Sequence, residues 1–362
     1  MENSWNNLLS GSITSAAVLR EKLIEKGIEL TDEEYGNIKE VAKKYPICIN
    51  PYYLSLIGEK GDEIWNQCVP RIEEITDTRG EEDPLHEEDS KSGIPFLTHR
   101  YPDRVLMIVS NSCAMYCRFC TRKRKVGDNR KNPTKQDIDR MIDYIKEHKE
   151  VRDVILSGGD PLLLSDEKLE WILEELRKIK HIEMIRIGTR VPCTFPQRIT
   201  GELCEMLKKY NKSPALYINT HFEHPFELTK ESIKACEMLA DAGIPLGNQS
   251  VVLKGVNNNP IEMKKLMQGL LKMKVKPYYI YQPDLVKGTY HFIEPVSKGL
   301  EIIKGLKGWT SGMAVPHFVI DTPGGKGKIA LFPEMITIND NKIELINYKG
   351  EKAVYPKIEE LG

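Results

Sequence analysis

From residue 104 onward the chain alternates between two kinds of segment. Short β-rich runs are "RVLMIVS" (104–110), "DVILSGG" (153–159), "EMIRIGT" (183–189), "ALYINTH" (215–221), "LGNQSVVL" (246–253) and "PYYIYQ" (277–282). Between them lie longer stretches with apolar residues three and four apart: "TKQDIDRMIDYIKEH", "SDEKLEWILEELRKIK", "ITGELCEMLKKY", "TKESIKACEMLADAG" and "NPIEMKKLMQGLLKMK". Several open on Ser or Thr, whose side-chain oxygen can cap a helix N-terminus. A strand, a crossover helix and another strand make a parallel pair, almost always right-handed. Six such units predict an α/β fold, a partial (β/α)6-type TIM-like barrel of parallel strands; a doubly wound sheet is the alternative. In a barrel, functional side chains gather where strands end, and every motif below follows or adjoins a strand run.

Upstream, "TSAAVLREKLIEKGI" and "TDEEYGNIKEVAKKYP" have helical periodicity, so an N-terminal helical extension is expected. The segment "ITDTRGEEDPLHEEDSKSG" (75–93) is acidic and poor in apolar residues, which predicts an exposed linker. The expected divisions are therefore 1–92 for the helical region and linker, 93–330 for the barrel, and 331–362 for a short extension. Lys+Arg 52 against Asp+Glu 53 leaves no overall field to attract nucleic acid or an anionic membrane. No apolar run approaches the length of a transmembrane helix, and "MENSWNNLLSG" lacks the pattern of a secretory signal. Cys48, Cys68, Cys193, Cys204 and Cys236 are scattered without a paired framework, which suits a reducing compartment and a cytoplasmic location.

The other three cysteines stand together in "NSCAMYCRFCTRKRKVGD" (111–128) as C-x3-C-x2-C: Cys113, Cys117 and Cys120. Three thiolates from one loop suit a soft metal or an iron–sulfur cluster, whereas structural zinc wants a fourth ligand. On a [4Fe–4S] cluster they would leave one iron open. Their spacing also suits one face of a helix, which would make them core, but Arg118 and "TRKRK" interrupt such a face. Basic neighbours favour thiolates; a nucleic-acid patch is the other use of "RKRK".

This pattern after the first barrel strand resembles the radical S-adenosylmethionine (SAM) superfamily. The longer string "HRYPDRVLMIVSNSCAMYCRFCTRKRKVG" resembles the lysine 2,3-aminomutase family more narrowly, and the resemblance runs through most of 95–330. It implies a [4Fe–4S] cluster on the three cysteines, SAM at the open iron, and pyridoxal 5′-phosphate (PLP). In "LSGGDPLLL", two glycines allow close backbone approach and Asp160 can receive an ammonium; by resemblance Gly158, Gly159 and Asp160 hold the methionine end of SAM. Gln249 in "GNQSVVLKGVN" is a further SAM contact by resemblance. In "HFVIDTPGGKGKIAL" a glycine loop carries Lys326 and Lys328, and lysine amines form Schiff bases with PLP; the family's register points to Lys328. In "LTHRYPDRV" the resemblance assigns Arg100 to the PLP phosphate and Tyr101 and Arg104 to its surroundings.

The resemblance also supplies a substrate. Arg122 matches the family's clamp for the substrate carboxylate. Asp284 in "YIYQPDL" and Asp321 match two aspartates that hold the distal ammonium of lysine. The implied reaction is 2,3-amino migration between L-lysine and β-lysine, an isomerisation. The alternatives are the same chemistry on arginine, ornithine or glutamate, or an iron–sulfur protein without catalysis. The partners implied are a small-molecule amino acid, an electron donor such as flavodoxin or ferredoxin, and a homo-oligomer in some relatives. No Cys follows Cys236, and "GVNNNP" has Asn where some relatives carry a zinc-binding Cys, so no structural zinc is expected.

Overall fold

Apolar periodicity and local capping account for most of the elements in this computed structural model, which describes residues 4–88, 91–127, 131–212, 214–333, 336–338 and 342–356. Six helices come first: α1 (Ser4–Ser10), α2 (Ala16–Glu25), α3 (Asp32–Lys44), α4 (Pro51–Ser55), α5 (Glu63–Cys68) and α6 (Glu73–Thr76). The Ser15 and Thr31 side chains cap α2 and α3, and Thr31 forms a reciprocal capping box with Glu34. Each such cap is worth about 1 kcal/mol because it satisfies an orphan N–H.

A nine-stranded sheet follows, with its strands in chain order. They are β1 (Leu97–Tyr101), β2 (Arg104–Ser110), β3 (Asp153–Gly158), β4 (Met184–Gly188), β5 (Ala215–Thr220), β6 (Leu246–Val251), β7 (Val275–Tyr281), β8 (His317–Thr322) and β9 (Gly327–Leu331). Strands β2 to β8 are parallel to one another; β1 and β9 run antiparallel at the two edges. The six expected runs are β2 to β7. The barrel is larger than expected by β8 and by the antiparallel edges. Those edges do not pair with each other among the described residues; instead Lys328 N donates to the Tyr101 hydroxyl across the gap at 2.9 Å.

The crossovers carry α7 (Lys135–Glu147), α8 (Asp166–Arg177), α9 (Val191–Thr194), α10 (Gly201–Tyr210), α11 (Lys230–Asp241), α12 (Pro260–Lys272) and α13 (Val296–Leu306). In α7, Ile138, Met141, Ile142 and Ile145 form the buried stripe that the 3.6 period requires. Thr134, Ser165, Thr200 and Thr229 cap α7, α8, α10 and α11 as their sequences suggest. A single apolar cluster runs from Ile13 through Val69 and the barrel to Phe318, so the N-terminal helices and the barrel share a core. Strands β10 (Ile336–Ile338), β11 (Lys342–Ile346) and β12 (Lys352–Pro356) form a separate antiparallel sheet. No described helix is long and apolar enough to cross a membrane.

Candidate active site

After β2 the chain enters an irregular segment, 111–127, with no helix in it. The three thiols therefore do not share a helix face, and a core stripe is excluded. The loop is clamped from two sides. On one side, Gly159 N donates to Ser110 O at 2.6 Å and Asp160 N to Ser112 O at 2.7 Å. A Cβ at Gly158 would lie 2.2 Å from Ser110 O, and one at Gly159 2.4 Å from Ser112 O. Both glycines thus admit the backbone of the cysteine loop. On the other side, Tyr116 N donates to Cys48 O and Arg118 N to Gln67 O, each at 2.9 Å, and the Asn50 amide donates to Ala114 O at 3.0 Å.

The basic run after the cysteines is spent on internal ion pairs. Arg118 and Lys123 turn inward to the buried Glu74 carboxylate, at 2.5 and 2.8 Å. Arg122 pairs with Glu87, and Arg124 and Lys125 with Glu88. The thiols themselves are free and half-buried. Burial pushes the Cys113 thiol well up and that of Cys120 to about 11. Burial also raises Cys117, opposed by Arg190, whose Nη1 donates to its sulfur at 2.9 Å.

Asp160 is held by donors from two loops. Its carboxylate accepts from Leu162 N (3.0 Å), Thr189 Oγ1 (2.6 Å), Arg190 N (2.7 Å) and Val191 N (3.2 Å). Those four bonds occupy both oxygens, so the side chain ties the β3 loop to the β4 loop. Burial raises its carboxyl to about 6 despite these donors.

The opposite end of the cavity is built by a hairpin. Strands β8 and β9 pair so that Asp321 and Lys328 face each other directly. The Lys328 ammonium bonds to Asp321, and Arg100 Nη1 reaches the other Asp321 oxygen at 3.4 Å. Lys328 therefore stands on a strand and not in the expected glycine loop; the exposed Lys326 occupies the turn. Tyr101 holds the Lys328 backbone, and the Arg104 guanidinium lies 3.9 Å from the Tyr101 ring centre. Asp284, after β7, meets no donor among the described residues. Burial first, and the Asp321 charge second, push its carboxyl up to about 7. Gln249 accepts from the Tyr278 and Tyr281 hydroxyls, both at 3.2 Å.

One cavity of about 570 Å³ joins all of this. Its wall includes Cys113, Cys117, Cys120, Gly158, Gly159, Asp160 and Gln249, together with Arg100, Tyr101, Arg104, Arg122, Asp284, Asp321 and Lys328; Lys326 is not part of it. The volume is in the range of ligand sites. Sequence reasoning missed Arg190, the tyrosines of β7 and Glu87. Strand-end position in "GTRVPC" and "PYYIYQ" was the available signal for the first two; nothing marked Glu87.

The donor chemistry suits the implied groups. Three free thiols stand on a single loop, with the Arg190 guanidinium bonded to the middle one. For a phosphate there is Arg104, half-buried, whose guanidinium has no acceptor among the described residues, lining the same cavity as Arg100. For SAM there is Gln249, whose amide N–H groups have no described acceptor, on the same wall as the cysteines.

A radical SAM superfamily profile matches residues 107–267, and one described as lysine-2,3-aminomutase matches 303–361. An L-lysine 2,3-aminomutase of Bacillus subtilis (strain 168) is 50% identical, covering 99% of this chain and 76% of the relative. That of Acetoanaerobium sticklandii is 52% identical, covering 92% of this chain and 80% of its own. A glutamate 2,3-aminomutase of Clostridioides difficile (strain 630) is 48% identical, covering 97% of this chain and 82% of its own. Identity to the lysine and glutamate relatives is thus nearly equal.

Proposed function

This chain belongs to the lysine 2,3-aminomutase family of radical SAM enzymes, and from that premise we infer that its cavity takes L-lysine and moves the amino group between C2 and C3, interconverting it with β-lysine (3,6-diaminohexanoate). When bound, the [4Fe–4S] cluster and SAM supply a hydrogen-abstracting radical, and PLP supplies an electron-delocalising mount for the migrating nitrogen. In this reading Cys113, Cys117 and Cys120 hold the cluster, and Gln249 with the Gly158–Gly159 backbone borders SAM. Asp160 positions that border through Thr189 and Arg190. Lys328 is the amine that carries PLP, with Arg100 and Arg104 for its phosphate and Tyr101 fixing the lysine's backbone. Arg122 grips the substrate carboxylate, and Asp284 with Asp321 grips the distal ammonium.

The observation that carries the choice of substrate is the bare Asp284 carboxylate beside Asp321. An ammonium completes that pair. A glutamate side chain would bring a third carboxylate to it, and the repulsion is large in a partly desolvated site. Anchoring both ends holds C2 and C3 in place, which is how a chain with no reactive group of its own at those carbons contributes to rate. The free thiols suit a reducing compartment, so the reading places the enzyme in the cytoplasm with a small redox protein, flavodoxin or ferredoxin, as electron donor. The test is anaerobic: protein reconstituted with iron and sulfide, reduced, and given SAM, PLP and L-lysine produces β-lysine by mass spectrometry. Turnover of L-glutamate with none of L-lysine overturns the reading.

A further inference from the structure

Residues 77–88, expected to be an exposed linker, cross the mouth of the barrel as a strap. Glu81 N and O bond to Leu285 O and Lys287 N, both at 2.9 Å. Gly324 N donates to Pro84 O at 2.8 Å, Arg100 donates to Leu85 O, and the Thr98 hydroxyl donates to Glu87 O at 3.3 Å. The strap is thereby fixed to β1, to the loop after β7 and to the β8–β9 turn. From this fixed backbone the Glu87 side chain reaches Arg122 in a bidentate pair: Nε to Oε2 at 2.8 Å and Nη2 to Oε1 at 2.6 Å. Both side chains are largely buried, at 15% and 14% exposure, and both line the cavity.

A guanidinium has five N–H groups. Glu87 takes the Nε–Nη2 edge, and Ser157 Oγ takes one N–H of Nη1 at 3.2 Å. One N–H remains on each of Nη1 and Nη2, both free to donate to a carboxylate. A long, flexible arginine side chain is thereby held in one orientation before any ligand arrives.

We propose that Glu87 is the positioning residue of the substrate-carboxylate clamp: it anchors one edge of Arg122 so that the other edge is presented, preset, to the α-carboxylate of the amino acid. This rests on the assignment of Arg122 above. The opposite arrangement, in which Glu87 blocks Arg122 and substrate must displace it, gives the opposite sign in the same experiment.

The holoenzyme and its Glu87→Gln and Glu87→Asp variants are compared in two ways. Steady-state turnover gives KM and kcat for L-lysine. Absorbance of bound PLP, without SAM or reductant, gives the affinity for L-lysine and for 1,5-diaminopentane, which lacks the carboxylate. Glu87→Gln is expected to raise KM and Kd for lysine about tenfold, with kcat changed less than about threefold, because a uniform binding contact is weakened. Glu87→Asp, which keeps the charge, is expected to fall between; it also carries the test alone if the Gln variant does not fold. Affinity for 1,5-diaminopentane is expected to stay level. Lysine affinity that is unchanged or tighter overturns the proposal, and so does equal weakening of both amines. Failure of the Arg122 assignment is seen separately: Arg122→Gln would then leave the preference for lysine over 1,5-diaminopentane intact.

Discussion

Asp284 makes the site's electrostatics measurable at the scale of one residue. Burial and Asp321 raise its carboxyl to about 7, against an ordinary 3.8. The folded, substrate-free protein therefore keeps this proton to higher pH than the unfolded chain does. The resulting stabilisation is fully present below about pH 4 and is lost as pH rises through about 7. Lysine binding needs the ionised form, so KM for lysine should rise by about tenfold per unit as pH falls below about 7. Asp284→Asn should remove that dependence and raise KM at pH 8. The same change should stabilise the substrate-free fold at pH 8 by on the order of 2 kcal/mol, read as a higher Tm, because it removes a half-buried charge with no hydrogen-bond donor among the described residues. A lower Tm at pH 8 would mean the carboxylate is already satisfied. The three cysteines were legible in the sequence because their chemistry sits within eight consecutive positions. Glu87 was not, because its meaning lies in Arg122, 35 residues away, and Arg190 acts on Cys117 at a separation of 73.

Among the elements, the β8–β9 hairpin sets which of the two lysines lines the cavity. Its register sets Lys328 opposite Asp321 and Gly327 opposite Thr322. Directly opposed residues project to one face of the sheet, about 5 Å apart, which brings Lys328 into the cavity and leaves Lys326 at the turn. Borohydride reduction of the PLP-loaded protein, followed by peptide mapping, should label Lys328; Lys326→Ala should label equally well. A label on Lys326 would contradict the register. The glycines after β3 make the other test at this scale. Gly159→Ala forces a methyl group against Ser112 O and the Asn111 carbonyl carbon, both under 3 Å. Overpacking of this kind costs about 1–3 kcal/mol, and because the strain falls on the cysteine loop, iron retained after reconstitution should drop with it. Full iron content in a folded Gly159→Ala protein would show that the loop yields freely. Periodicity revealed β2 to β7 and the helices between them. It did not reveal β8 and β9, since the Pro-Gly-Gly-Lys-Gly run between them reads as loop, and two five- and six-residue strands around it are too short for a pattern to outweigh that signal.

Across the whole molecule, the N-terminal helices are part of the site and not an appendage to it. Cys48, Asn50 and Gln67 bond to the cysteine loop, and the same helical region shares the barrel's core. Amphipathic spacing could announce those helices but not what their buried ends would hold. Glu74 is the strongest link. Its fully buried carboxylate accepts from Arg118 Nε and Nη2 and from the Lys123 ammonium. Burial alone would push the Glu74 carboxyl up, but the two cations outweigh it and hold it below the usual range. Lys123 is lowered to about 8, burial being the larger influence on it. Replacing Glu74 by Gln keeps the shape and removes the only negative charge in this buried group. Breaking a buried ion pair by removing one partner costs about 3–5 kcal/mol. Because both stranded cations belong to the cysteine loop, the loss should appear there and not only in the helices. Hydrogen exchange on Glu74→Gln should show amides of 111–127 opening together with α5 and α6, while the central strands β4 to β6 keep their protection. Faster exchange confined to α5 and α6, with the cysteine loop as protected as before, would show that the helices only cover the loop and do not hold it.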